Sequence, residues 1–216
     1  MQKIKYLISG ILLLTTISFA QGLKIGPLVG YNNFTSPDAF TKSISDGGFG
    51  FSNNMQFGAK AKVDLILIKA TAFVAYNSMS NDGEVQTLTG TAKSETEGSL
   101  LTIGLGAEFG LLPIPGPVKP YLGADLLINS FGDFKSTTTQ NNFKSENTFS
   151  YGSRYGLGIG AGVEITAFPK VDLDLNVKYN FNNLIGKEDL QAGVIKISEE
   201  SVNSITIQLT VLFKII

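Results

Sequence analysis

Val171-Asp172-Leu173-Asp174-Leu175-Asn176-Val177-Lys178-Tyr179-Asn180-Phe181 alternates apolar and polar residues without a break. A strand turns successive side chains to opposite faces, so period two means a ribbon with one greasy and one polar side. Working outward, the same rhythm recurs. Tyr155, Leu157, Ile159, Ala161, Val163 and Ile165 oppose Gly156, Gly158, Gly160, Gly162, Glu164 and Thr166. Ile205, Ile207, Leu209, Val211 and Phe213 oppose Ser204, Thr206, Gln208, Thr210 and Lys214, with Leu212 as an exception. Leu101, Ile103, Leu105, Ala107 and Phe109 oppose Thr102, Gly104, Gly106, Glu108 and Gly110. Four further stretches, about 23–31, 51–63, 69–77 and 119–130, read as strands. Phe73 and Leu127 break the alternation in the last two. The expectation is eight strands, an even number.

The links alternate in length. Short ones lie near 64–68, 112–118 and 168–170; long ones lie near 32–48, 78–98, 132–150 and 182–201 and are rich in Ser, Thr, Asn and Gly. Short turns at one end and long loops at the other are the rhythm of an up-and-down antiparallel transmembrane barrel. A βαβ fold needs helical crossovers, for which the links offer no amphipathic helix of useful length.

The bulk numbers agree with one domain: 216 residues, 43% hydrophobic, formal net charge −1. Near-balanced charge gives no reason to expect nucleic acid. The absence of cysteine removes disulfides, thiolate metal sites and lipid attachment through sulfur. The absence of histidine removes the commonest acid–base group and metal ligand. At the N-terminus, Lys3 and Lys5 precede a short apolar run from Tyr6 to Ile17, and Ser18-Phe19-Ala20 supplies small residues before Gln21. That pattern predicts a signal peptide over 1–20, cleaved after Ala20, and a barrel domain over 21–216. The apolar run is too short to anchor comfortably in a bilayer.

Periodicity does not say whether the apolar face points in or out. Three features favour outward. The polar faces of 101–110 and 155–166 are rich in glycine, which weakens a solvated strand but suits a crowded eight-strand interior. Aromatics gather at strand ends on the apolar face: Tyr31, Tyr76, Tyr151, Tyr155, Tyr179 and Phe181 by the loops, Phe109 and Phe213 by the turns. They suit two interfacial girdles. The clean stretches also match the roughly 9–11 residues of a tilted spanning strand. The lipid-facing set then includes Leu157, Ile159, Val163, Leu173, Leu175, Val177, Ile207 and Leu209. An interior charge network is expected from Lys24, Lys60, Glu108, Asp125, Arg154, Glu164, Asp172, Asp174, Lys178 and Lys214. Five lysines (24, 60, 62, 69, 214) and five acids (64, 108, 164, 172, 174) fall at the turn end, an ionic plug. Lys62, Asp64 and Lys69 have a competing reading as solvated turn residues.

Catalytic patterns fare poorly. Gly156-x-Gly158-x-Gly160-x-Gly162 lacks the spacing and following helix of a nucleotide loop. Asp172 and Asp174 share a face and could act as a carboxylate pair, but nearby lysines favour charge pairing. Glu95, Glu97, Glu199 and Glu200 read as solvated loop acids rather than a cation site. A histidine-based triad is excluded. No enzyme activity, cofactor or metal is expected.

With segments such as Tyr155-Gly-Leu-Gly-Ile-Gly-Ala-Gly-Val-Glu164, the chain resembles small outer-membrane barrels of the OmpA/OmpX type, the outer membrane protein β-barrel domain family. The resemblance covers about Gly22 to Ile216 and rests on architecture. Such barrels usually end on an aromatic residue; here the last residue is Ile216 and the nearest aromatic is Phe213. The resemblance implies a monomer in the bacterial outer membrane, contacting lipid, lipopolysaccharide and the assembly machinery. It implies a structural or surface-interaction role, with four loops open to an unknown extracellular ligand. A narrow solute or ion channel is the alternative. A secreted barrel carrying an apolar ligand is the third reading.

Overall fold

The computed structural model describes residues 22–65, 68–87, 90–111, 116–141, 143–150, 152–187, 189–192 and 195–215. The proposed signal peptide and Tyr151 lie outside them. In chain order the elements are β1 (Leu23–Ser36), α1 (Asp38–Thr41), a 3-10 turn (Ile44–Asp46), β2 (Asn53–Asp64), β3 (Ile68–Thr87), β4 (Gly90–Gly110), β5 (Val118–Phe131), β6 (Phe134–Gln140), β7 (Phe143–Phe149), β8 (Ser153–Phe168), β9 (Val171–Ile185), β10 (Asp189–Ala192), β11 (Ile195–Ser198) and β12 (Asn203–Lys214).

Eight of these strands close on themselves in the order β1-β2-β3-β4-β5-β8-β9-β12, and every pairing is antiparallel. The seam joins the first strand to the last, from Lys24 opposite Lys214 to Ser36 opposite Asn203. Closure satisfies the backbone groups that an open sheet edge would leave bare in lipid. The eight-stranded up-and-down barrel read from the alternation is therefore the architecture observed.

The strands run past the expected limits, by a residue or two at the turn end and by much more at the loop end of β1, β3, β4 and β9. β3 and β4 have 20 and 21 residues and stay paired from Ile68–Phe109 to Thr87–Gly90. The stretches read as long loops contain β6 and β7, a hairpin that joins β4 between Lys93 and Glu97, and the small β10–β11 hairpin. The reason is chemical. Beyond Tyr76 and Leu101 the period of two continues in polar dress: Ala92, Ser94 and Thr96 are buried while Lys93, Glu95 and Glu97 are exposed. Outward apolar residues stop where the hydrocarbon stops, not where the strand stops.

The usual burial order is inverted. Leu105, Leu126, Ile159 and Val177 are exposed on the outer surface, at 58%, 69%, 50% and 48%. Gln56, Asn129, Asn176 and Thr210 are buried inside. An outward ring of Asn33, Asn53, Ser78, Ser99, Ser130 and Asn203 marks the loop-side limit of the apolar band. Exposed Tyr31, Tyr76, Tyr155 and Tyr179 lie on the apolar side of that ring, and exposed Phe109, Phe168 and Phe213 lie at the turn end. Of the expected lipid-facing set, Leu157, Val163 and Leu173 are half-buried among neighbours; Ile159, Leu175, Val177, Ile207 and Leu209 are exposed.

Candidate functional site

The turn end of the interior is filled with charge. Lys60 and Lys62 enter from β2, Glu108 from β4, Glu164 from β8, and Asp172 and Asp174 from β9. Lys24 Nζ lies 2.7 Å from Glu164, 3.0 Å from Asp172 and 3.3 Å from Asp64. Lys60 Nζ lies 2.9 Å from Glu108 and 2.8 Å from Asp174. Lys62 Nζ reaches Glu108 at 2.6 Å, Asp174 at 2.8 Å and Glu164 at 3.5 Å. Lys69 pairs with Glu164 at 2.8 Å, and Lys214 with Asp172 at 3.0 Å. The side chain of Lys62 is wholly buried, so it is not a solvated turn residue; Lys69 and Asp64 sit at the rim, 21% and 29% exposed. The Tyr121 hydroxyl donates to Asp174 at 2.7 Å, and Lys62 stands 4.5 Å above the Tyr121 ring. A buried charge is tolerated only when paired and hydrogen-bonded, and here each lysine of the plug has a carboxylate partner.

Glycine makes the room. A Cβ built on Gly162 would stand 2.5 Å from Tyr121 Cζ, on Gly106 2.2 Å from Asp125 Oδ1, and on Gly104 2.0 Å from Phe73 Cε1. Each of these inward glycines faces one large inward side chain, which is how a narrow barrel fills without voids.

Further up, Lys178 donates to Asp125 at 2.5 Å and lies 4.8 Å over the Phe73 ring. Phe73, Leu28, Ala75 and Leu127 form a small apolar layer across the lumen. Two of the three residues that broke the strand pattern, Phe73 and Leu127, thus point inward and pack together; the third, Leu212, is buried as well. Above them is a small polar chamber. Above that, Phe34, Phe40, Phe51, Met79, Leu100, Phe131, Phe134 and Val202 form a buried cluster with Phe49 against it. Phe40, carried in by α1, packs edge-on to Phe34 at 5.4 Å and lies 5.2 Å from Phe134. Thr96 Oγ1 donates to the Phe49 carbonyl at 2.7 Å, tying residues 37–52 to the β3–β4 hairpin.

This aromatic cap escaped the sequence reading because Phe34, Phe40, Met79 and Phe134 lie in segments read as polar loops and Phe51 was read as the start of a strand. A signal was present: four phenylalanines fall between positions 34 and 51. Glu199 corrects the reading as well. Its side chain is only 7% exposed, not solvated, and accepts from Arg154 Nη2 at 2.7 Å and from Asn183 at 2.9 Å. Arg154 is therefore an anchor for the segment leading into β12, apart from the plug. Glu95, Glu97 and Glu200 are exposed, and among the described residues no acid cluster has the makings of a metal site. Asp38, 2.7 Å from Lys42, raises that ammonium's pKa by hydrogen bonding, but the pair is exposed and worth little.

The barrel is thus stoppered by an ionic plug, an apolar layer and an aromatic cap. Comparison with known proteins places it. The family model described as "Outer membrane protein beta-barrel domain" matches residues 12–212. The crystal structure of Neisserial surface protein A is similar, with a TM-score of 0.54 at 19% identity, covering 88% of this chain and 96% of that one. A major outer membrane protein from Thermus thermophilus is similar at a TM-score of 0.51 and 12% identity, covering 89% and 99%. At such identities the likeness shows the fold alone. No curated protein sequence matches. The family match spans nearly all of the barrel, its strands and its interior, and the chain belongs to the outer membrane protein β-barrel domain family of the bacterial outer membrane.

Proposed function

We propose that this protein is a closed outer-membrane scaffold that presents a pre-folded extracellular cap to surface partners. The observation that carries the reading is the aromatic cluster. Loops that merely float have no core, whereas Phe34, Phe40, Phe51 and Phe134 give these segments one of their own. The long-loop end faces outward in such barrels. The paired β3–β4 hairpin, with β6 and β7 beside it, stands clear of the apolar band and offers a surface for an extracellular ligand. The role is structural and interactive, not enzymatic. Lipid, lipopolysaccharide and the assembly machinery are its membrane partners, and the chain works as a monomer.

The test is protease treatment of intact cells displaying the protein. The cap of the wild type resists cleavage, and a Phe40→Ala/Phe134→Ala variant is cut. Equal, rapid digestion of both overturns the pre-folded cap. The channel reading keeps one observation in its favour: much of the lumen between the stoppers is polar. Planar-bilayer recordings decide it. The scaffold predicts no conductance above background, both for the wild type and for Asp172→Ala/Asp174→Ala. Steady unitary currents from the wild type would make it a pore.

A further inference from the structure

The chamber beneath the cap is lined by Asn32, Asn77 and Gln208, with Phe73 and Leu127 as its floor and Leu100 at its roof. Its free volume is about 10 Å³. Asn32 is 1% exposed, Asn77 1% and Gln208 2%. Among the described residues, Asn32 Nδ2, Asn32 Oδ1, Asn77 Oδ1 and Gln208 Oε1 have no hydrogen-bond partner. The other ends of two of these amides are engaged: Gln208 Nε2 donates to Gln56 Oε1 at 2.8 Å, and Asn77 Nδ2 to the Leu100 carbonyl at 3.3 Å. The Leu100 carbonyl can only accept, so it fixes the free end of Asn77 as an acceptor; with Gln56 presenting its Oε1, the free end of Gln208 is an acceptor as well.

We propose that this chamber is a binding site for a single, long-lived water molecule. The inventory matches water. It donates twice, to two of the three free carbonyl oxygens, and accepts from the Asn32 amide, which gives the three bonds typical of a buried water. The volume admits one such molecule and nothing larger. A hard cation needs about six oxygen ligands and would meet the Lys178 ammonium, which lines the same wall. An anion would meet three carbonyl oxygens. The inference does not depend on the surface role proposed above. It does add a gauge: with a cap above and an apolar layer below, the water leaves only when one of them opens. Its residence time therefore reads that opening.

The experiment uses the mature chain refolded in micelles, its folding checked by the mobility difference between heated and unheated samples. Water-17O magnetic relaxation dispersion counts waters that outstay the tumbling of the protein–micelle particle yet exchange before their own spins relax, and side-chain amide NMR looks for a water cross-peak to Asn32 Nδ2–H, which also reports slower exchange. The expected result is that cross-peak, together with one long-lived water lost in Asn32→Leu. Gln208→Met, which keeps the side chain's length but removes one of the free acceptors, loses it too and guards against a misfolded first variant. A wild type with no cross-peak at Asn32 overturns the site. So does a cross-peak to water exchanging within nanoseconds, or a dispersion unchanged in both folded variants.

Discussion

Leu175 and Asn176 are neighbours in β9 with opposite surroundings. Leu175 is 44% exposed on the outer wall and Asn176 is 1% exposed inside. Hydrocarbon tolerates a charge poorly at mid-depth, by roughly 2–4 kcal/mol for arginine. Leu175→Arg should therefore lower unfolding free energy by about that much in denaturant titrations from lipid vesicles. Asn176→Ser should cost far less. The glycines act at the same scale. Gly104→Leu drives a side chain into the Phe73 ring and should cost about 1–3 kcal/mol through overpacking. Phe73→Ala in the same chain should recover much of that loss, read as the returning fraction of the fast-migrating folded band. An additive double variant would show that the glycine is not there to house the ring.

Between elements, the buried ion pairs tie together strands that are not neighbours in the sheet. Lys178 on β9 and Asp125 on β5 are each 4% exposed and meet over the inward glycines of the intervening β8. Removing one partner strands the other, which costs about 3–5 kcal/mol in a buried pair, whereas replacing both with apolar residues is often close to neutral. Asp125→Leu should thus be the harmful change. The double variant Asp125→Leu/Lys178→Met should unfold near the wild-type midpoint. The strands themselves were legible because hydrophobicity alternates wherever one face meets lipid. Their upper halves were not, since Ser94 and Thr96 carry the inward face without any apolar contrast to Lys93 and Glu95. The charges of the plug could be placed from parity alone, because a strand leaves a side chain only two directions. Which lysine meets which acid depends on strand stagger, and that is absent from local pattern. Phe73 and Leu127 looked like errors in the rhythm; they are two inward residues that meet over Gly104 of the strand between them.

For the whole molecule, the decisive relation is that lipid bathes the apolar wall while paired polar groups fill the centre. The soluble-carrier alternative requires the reverse. The cap was invisible from sequence for a related reason. Its phenylalanines come from β1, residues 37–52, β5 and β6, so they form a core only once the barrel has brought its loops together. Because the chain has no cysteine of its own, single cysteines introduced at 173 to 178 can each carry a nitroxide without background. Electron paramagnetic resonance in reconstituted vesicles then compares collision with oxygen, which concentrates in lipid, and with a water-soluble nickel chelate. Labels at 173, 175 and 177 should collide with oxygen and be shielded from nickel, while labels at 174, 176 and 178 should be immobile and shielded from oxygen. Nickel access at 173, 175 and 177, or oxygen access at 174, 176 and 178, would contradict the account.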